Sequence, residues 1–256
     1  MGRATVLLAI CHHELRLLRR SPSVLLIFIA TPIVLVAFVA PAAQAVLRAR
    51  GDDSGVLFAV PGLSVVFAFS VTGTIGFSFF REHGWRTWNR LRASPAASWE
   101  IAAGKALTGL LVVAFQQIAV FSLAASLYGF RPRGSMLATM LVALSLSAFV
   151  VSYSLLVTAL SRNIQQLNAI SNLGGLMMGG IGGALVPLAS LPDWMQSAAP
   201  AFPTYWAVQG FDHVVLSPGG LGAAITPVAV LWAYTLVTAL LTLRLFRFSD
   251  TKVSWA

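Results

Sequence analysis

Apolar runs separated by short polar stretches organise the whole chain. Six runs stand out, at residues 24–46, 56–80, 106–128, 135–160, 167–185 and 226–246. A helix crosses the hydrocarbon core of a bilayer when about 20 mostly apolar residues follow one another. The pattern therefore predicts an all-α membrane protein of six transmembrane helices, residues 1–256 forming a single transmembrane domain. Pro32 and Pro41 fall inside the first run, and spanning helices tolerate proline better than soluble ones do. The fifth run is the one most broken by glycine. Its Gly175, Gly179 and Gly183 recur every four residues and so form one smooth helix face. That face suits close internal packing or, alternatively, a seam along a translocation path or between subunits.

The stretches between runs have their own patterns. Residues 4–20 read as an amphipathic helix. His12, His13, Arg16, Arg19 and Arg20 share one arc, and Val6, Leu7, Leu8, Ile10, Cys11, Leu15, Leu17 and Leu18 fill the rest, with Glu14 the exception. Such a helix lies in the membrane interface. Ser21-Pro22 breaks it and starts the next helix. Between the last two runs come about forty residues without Lys or Arg. Their Pro192, Trp194, Pro203, Tyr205 and Trp206 are expected in short helices that re-enter the outer interface.

Composition narrows the class. The chain has 256 residues, is 57% hydrophobic and only 10% charged. The net charge of +9 is dispersed between apolar runs, which excludes a nucleic-acid footprint and fits cytoplasmic loops enriched in Lys and Arg. Basic residues gather before run one, after run two, after run four and at the C-terminal end. Only Arg48, Arg50, Arg131 and Arg133 flank the opposite ends. Both termini are therefore expected in the cytoplasm. Arg19-Arg20, the first run and Ala43-Gln44-Ala45 also resemble a signal peptide, but the long basic segment and the later runs favour a retained span. The single Cys11 allows no intrachain disulfide and reads as a small buried side chain. Adjacent His12, His13 and Glu14 point about 100° apart on a helix and form no metal site.

The loop after run two carries the sharpest pattern. It reads Arg81-Glu82-His83-Gly84-Trp85-Arg86-Thr87-Trp88-Asn89-Arg90-Leu91-Arg92-Ala93-Ser94-Pro95, and later Gly104-Lys105. Ser94-Pro95 separates two short helices, with Ser98 capping the second. The sequence here resembles the membrane subunit of ABC-2 type export systems, in which this loop holds an acid, a Gly–Thr pair, a Leu, a Ser/Thr-Pro and a Gly-Lys. The matching positions are Glu82, Gly84, Thr87, Leu91, Ser94, Pro95, Gly104 and Lys105, and Trp85 and Arg86 widen the Gly–Thr spacing. Leu191-Pro192-Asp193-Trp194, followed by Pro203 and Tyr205-Trp206, resembles the drug-resistance branch of the same family.

The resemblance implies a coupling helix in the loop, docked on a separate ATP-binding-cassette ATPase. It also implies a homo- or heterodimer of permease chains in the cell (plasma or inner) membrane, in contact with lipid. The cargo would be amphipathic or hydrophobic, drug- or antibiotic-like. A lipid-linked glycan or peptide is the alternative cargo. The chain itself is then no enzyme and holds no cofactor, ATP and Mg belonging to the partner. Two absences point the same way. No Gly-x-x-x-x-Gly-Lys-Ser/Thr phosphate loop is present, and no acid falls inside the predicted runs, as an ion-coupled carrier would require. An ATP-independent carrier or channel is the competing class. Gln116, Gln117, Ser147, Ser154 and Thr158 are the polar groups within runs three and four. They suit substrate contact or interhelical hydrogen bonds equally.

Overall fold

The computed structural model describes residues 3–20, 22–48, 54–85 and 97–245. These residues are helical almost throughout, and among them no strand occurs. Among the described residues, five helical stretches are long and apolar enough to cross a membrane: Ser23–Arg48, Gly55–Glu82, Trp99–Tyr128, Met136–Leu160 and Leu221–Leu245. The first belongs to helix α2 (Pro22–Arg48), which follows α1 (Arg3–Arg19).

The second run is two helices, α3 (Gly55–Ala68) and α4 (Ser70–Gly84), meeting at Phe69. The joint is tight. The Phe69 amide bonds to the Val66 carbonyl at 3.3 Å, and the Thr72 amide to the Phe69 carbonyl at 2.9 Å, so both close over three residues instead of four. Phe69 anchors the joint by packing edge-on against Phe149 at 6.2 Å and Tyr153 at 5.7 Å. This aromatic cluster sits in the core beside Leu63, Phe79, Leu146 and Leu231.

Helix α5 (Ser98–Tyr128) ends on Gly129, whose φ of 68° is the left-handed conformation that closes many helices. Its start differs from expectation. Ala97, not Ser98, holds the cap position, and the Glu100 carboxylate accepts the Ala97 amide at 2.8 Å. Helix α6 (Met136–Leu160) is capped by Ser135, whose hydroxyl accepts the Ala138 amide. The helices run past the apolar sequence at both ends of the loop. Glu82 and Glu100 therefore lie within spanning-length helices, where the sequence placed them outside.

The fifth run becomes α7 (Ile164–Ile181), shifted toward the N-terminus. Gln165, Gln166, Asn168, Ser171 and Asn172 make its first half polar, and it is not among the five spanning-length helices. It ends before Gly183, which takes φ 80°. Gly183 thus drops off the helix face expected to run from Gly175. Two short helices follow, α8 (Asp193–Ala198) and α9 (Pro203–Phe211), before α10 (Leu221–Leu245). Helix α9 is largely buried, with Pro203, Thr204, Ala207 and Phe211 inside. Trp206 donates to the Pro200 carbonyl at 2.9 Å, whereas Trp194 projects outward and Pro192 is exposed. Tyr205 packs edge-on to Trp206 at 5.3 Å.

Candidate coupling site

The base of this site is a close approach between α1 and α5. A side chain at Gly104 would meet the Ile10 side chain at 2.7 Å, so the glycine lets α1 lie directly on α5. That contact buries the face of α1 holding Cys11 and Glu14 and leaves His12, His13, Arg16, Arg19 and Arg20 exposed. Arg16 is 3.0 Å from His12 along that face.

Glu14 is the acid that interrupts the apolar arc of α1. Its carboxylate meets Lys105, the residue after Gly104, and accepts a second hydrogen bond from Arg81 at 2.8 Å. Arg81 comes from the last turns of α4, which also supplies Glu82, 3.7 Å from Lys105, and the Ser78 carbonyl, 3.2 Å from the Lys105 ammonium. Lys105 also faces the Phe79 ring at 5.2 Å, and Arg81 faces Trp85 at 5.5 Å. Two acids and two bases from three helices thus form one compact cluster, electrically balanced. Glu14, Glu82 and Lys105 are 5%, 7% and 3% exposed. A cavity of about 280 Å³ opens beside them and reaches Thr74 and Asn168.

Burial alone would push the Glu14 carboxyl up. Lys105 and Arg81 oppose it and hold the group below its ordinary value of 4.5. A depressed carboxylate stabilises the fold above its unfolded value and loses that contribution as pH falls through the folded one. Thermal stability in detergent should therefore hold, as far as Glu14 is concerned, down to about pH 4.5 and then decline. Glu14→Gln should abolish this part of the acid decline and lower stability at neutral pH. Parallel melting curves of both proteins, from neutral pH down through and below pH 4.5, check it.

The sequence motif is only partly visible. Glu82 and Lys105 lie in the cluster, and Gly84 is exposed at the end of α4. Thr87, Leu91, Ser94 and Pro95 lie outside the described residues, as does the expected coupling helix. Glu14, Ser78 and Arg81 are additions. A lone acid on an apolar helix face demands a buried partner, and that was the available signal for Glu14.

The remaining candidates divide. Ser154 bonds Thr72 at 3.0 Å and the Val150 carbonyl at 2.6 Å, joining α6 to α4. The Gln116 amide donates to the Phe28 carbonyl on α2 at 3.2 Å. Gly175 and Gly179 press against Phe69 and Val66, which is internal packing. Gln117 has a different environment, taken up below.

Residues 5–216 match the family described as ABC-2 type transporter. The chain belongs to that family. Its members are membrane transport components, and the apolar multi-helix architecture described above is of that kind. A protein of Escherichia coli K12 named "Probable multidrug ABC transporter permease YbhR", and its counterpart in Escherichia coli O157:H7, are each 28% identical over 143 residues. The match takes in 55% of this chain and 38% of the relative's length.

Proposed function

We propose that this chain is the permease subunit of an ATP-driven exporter in the plasma (inner) membrane. In this reading both termini face the cytoplasm, and two permease copies pair above two copies of a separate ATPase. The cargo is amphipathic or hydrophobic, of a drug- or antibiotic-like kind, in keeping with the multidrug name of the relatives. Residues Gly84, Thr87, Leu91, Ser94 and Pro95 form the surface on which the ATPase docks, and the buried Glu82 and Lys105 carry its push inward. Arg16, Arg19 and Arg20 hold α1 against the anionic membrane surface. The Pro192–Trp206 segment forms the outer boundary of the path.

The observation that carries the proposal is the Glu14–Lys105–Arg81–Glu82 cluster. A push delivered at the loop reaches the end of α4 first. There the ion pairs tie it to α5 and α1, so the three helices move as one body. Packed interfaces of this kind have discrete arrangements and transmit small displacements instead of absorbing them. ATP and Mg act in the partner, and this chain supplies the moving path.

The test is co-purification with the ATPase of the same operon or genome, together with ATP turnover in vesicles. Glu82→Ala, and separately Ser94→Gly with Pro95→Gly, should reduce permease-stimulated turnover about tenfold or more, a change of roughly 1.4 kcal/mol in coupling. Full stimulation in both variants would remove the loop from the coupling path.

A further inference from the structure

Gln117 lies in the middle of α5, eleven residues before the helix ends at Tyr128, or about 16 Å along the axis. That places it near the centre of a hydrocarbon core of about 30 Å. It is 3% exposed, and neither its amide nitrogen nor its carbonyl oxygen has a hydrogen-bond partner among the described residues. Its neighbour Gln116 reaches a backbone carbonyl on α2; Gln117 reaches none.

The side chain lines a groove of about 490 Å³ between α5 and α6. Phe121 and Phe130, stacked at 5.6 Å, form one wall, and Phe211 backs Phe121 edge-on at 5.8 Å. Ala143 and Ser147 of α6 lie opposite. Ser147 and Thr139 also line the groove, but their hydroxyls already donate within α6. The mouth is flanked by Ile118, Met136, Met140 and Leu144, all exposed on the outer surface of the helices.

The groove has the size of a small-molecule pocket, typically about 300–1,000 Å³, mostly apolar with a few placed polar groups. An unpaired amide at this depth needs a partner, and no water is available in the bilayer core. Hydrocarbon tails of ordinary lipids carry no hydrogen-bonding group there. A helix from a second copy has its own backbone groups already satisfied. We infer that the α5–α6 groove binds a membrane-dissolved organic molecule with an apolar body and one amide group bearing an N–H, which Gln117 recognises by a two-way hydrogen bond. This deepens the amphipathic-cargo reading above and rests on it. The site lies within one chain, open to the lipid.

The test uses the full chain alone in lipid nanodiscs, so that loss of ATPase coupling and loss of groove binding are separate results. One probe is a decanoyl amide carrying a diazirine on its chain, and the control is an alkyl diazirine of equal length without the amide. The amide probe should label saturably, with adducts mapping to α5 and α6 around Gln117 and Met140. Gln117→Leu, which replaces the unpaired amide with a hydrocarbon, should weaken saturable labelling at least tenfold and leave alkyl labelling unchanged. Met140→Trp, which fills the mouth and keeps Gln117, should abolish saturable labelling. The inference is overturned if the amide probe labels the lipid-facing residues of α2 and α10 as strongly as the groove. It is equally overturned if Gln117→Leu binds as well as the native chain, or if Met140→Cys cross-links two copies through the groove.

Discussion

Lys105→Ala should unfold the end of the bundle that holds the Glu14–Lys105 cluster in detergent at a temperature well below that of the native chain. The ammonium is 3% exposed and is the point at which Glu14, Glu82 and the Ser78 carbonyl converge. Its removal leaves two carboxylates close together in a buried site with Arg81 as the remaining cation of the cluster. Breaking a buried ion pair from one side costs roughly 3–5 kcal/mol, because the surviving charge stays desolvated. The companion variant decides whether charge or docking matters. Glu14→Leu combined with Lys105→Met removes the bonded Glu14–Lys105 pair and keeps α1 on α5 through apolar contact, at the cost of the contacts Arg81 and Glu82 make with those two groups. Replacing both members of a buried pair by well-packed apolar residues is often neutral or stabilising. The double variant should therefore recover part of the lost stability without restoring stimulation of the partner's ATP turnover, because the ion pairs that tie α4 to α1 and α5 are gone. A melting temperature for Lys105→Ala equal to that of the native chain would show that the cluster contributes nothing to holding the three helices together.

The runs at residues 24–46, 106–128, 135–160 and 226–246 announced the helical class and four of the five spanning-length helices, because a long apolar run has few alternatives to a helix in a bilayer. The break at Phe69 was hidden, since residues 56–80 carry no charge and Phe69 packs at the joint against Phe149 and Tyr153 from another helix. Tertiary contact decided it, and no local period records such contact. The shift of α7 came from Asn163, whose side chain accepts the Gln166 amide at 2.8 Å and starts the helix earlier than the apolar residues do. At the site, motif resemblance marked Glu82 and Lys105, but pairing across 91 positions of sequence, from Glu14 to Lys105, leaves no local trace. What could be read was the anomaly of an acid on an apolar arc. Gln117 has the same logic: a polar residue in a spanning run invites the question of its partner, and only the packing shows that it has none within the described helices.

Gly62→Ala should be among the most damaging glycine substitutions in the bundle. A methyl group at Gly62 would lie 2.0 Å from the carbonyl oxygen of Ala184 and 3.0 Å from its carbon. These are backbone atoms, just past Gly183 at φ 80°, so no side-chain rotation relieves the clash; α3 and the segment after α7 must separate. Overpacking of a well-filled interior usually costs about 1–3 kcal/mol, occasionally more, and a backbone contact belongs at the upper end. Gly175→Ala, meeting the Phe69 Cβ at 2.8 Å, should cost somewhat less. Gly180→Ala, with nothing within 4 Å, should leave the melting temperature unchanged or raise it slightly through its better helix propensity, about 1 kcal/mol in an exposed helix. The ordering Gly62, Gly175, Gly180, measured by thermal unfolding of the purified variants, separates the two readings of the glycine-rich helix. If Gly175 lines a path and carries no packing, Gly175→Ala will melt with the native chain and change only transport. If it is the seat of Phe69, stability falls first, and the joint between α3 and α4 fails with it.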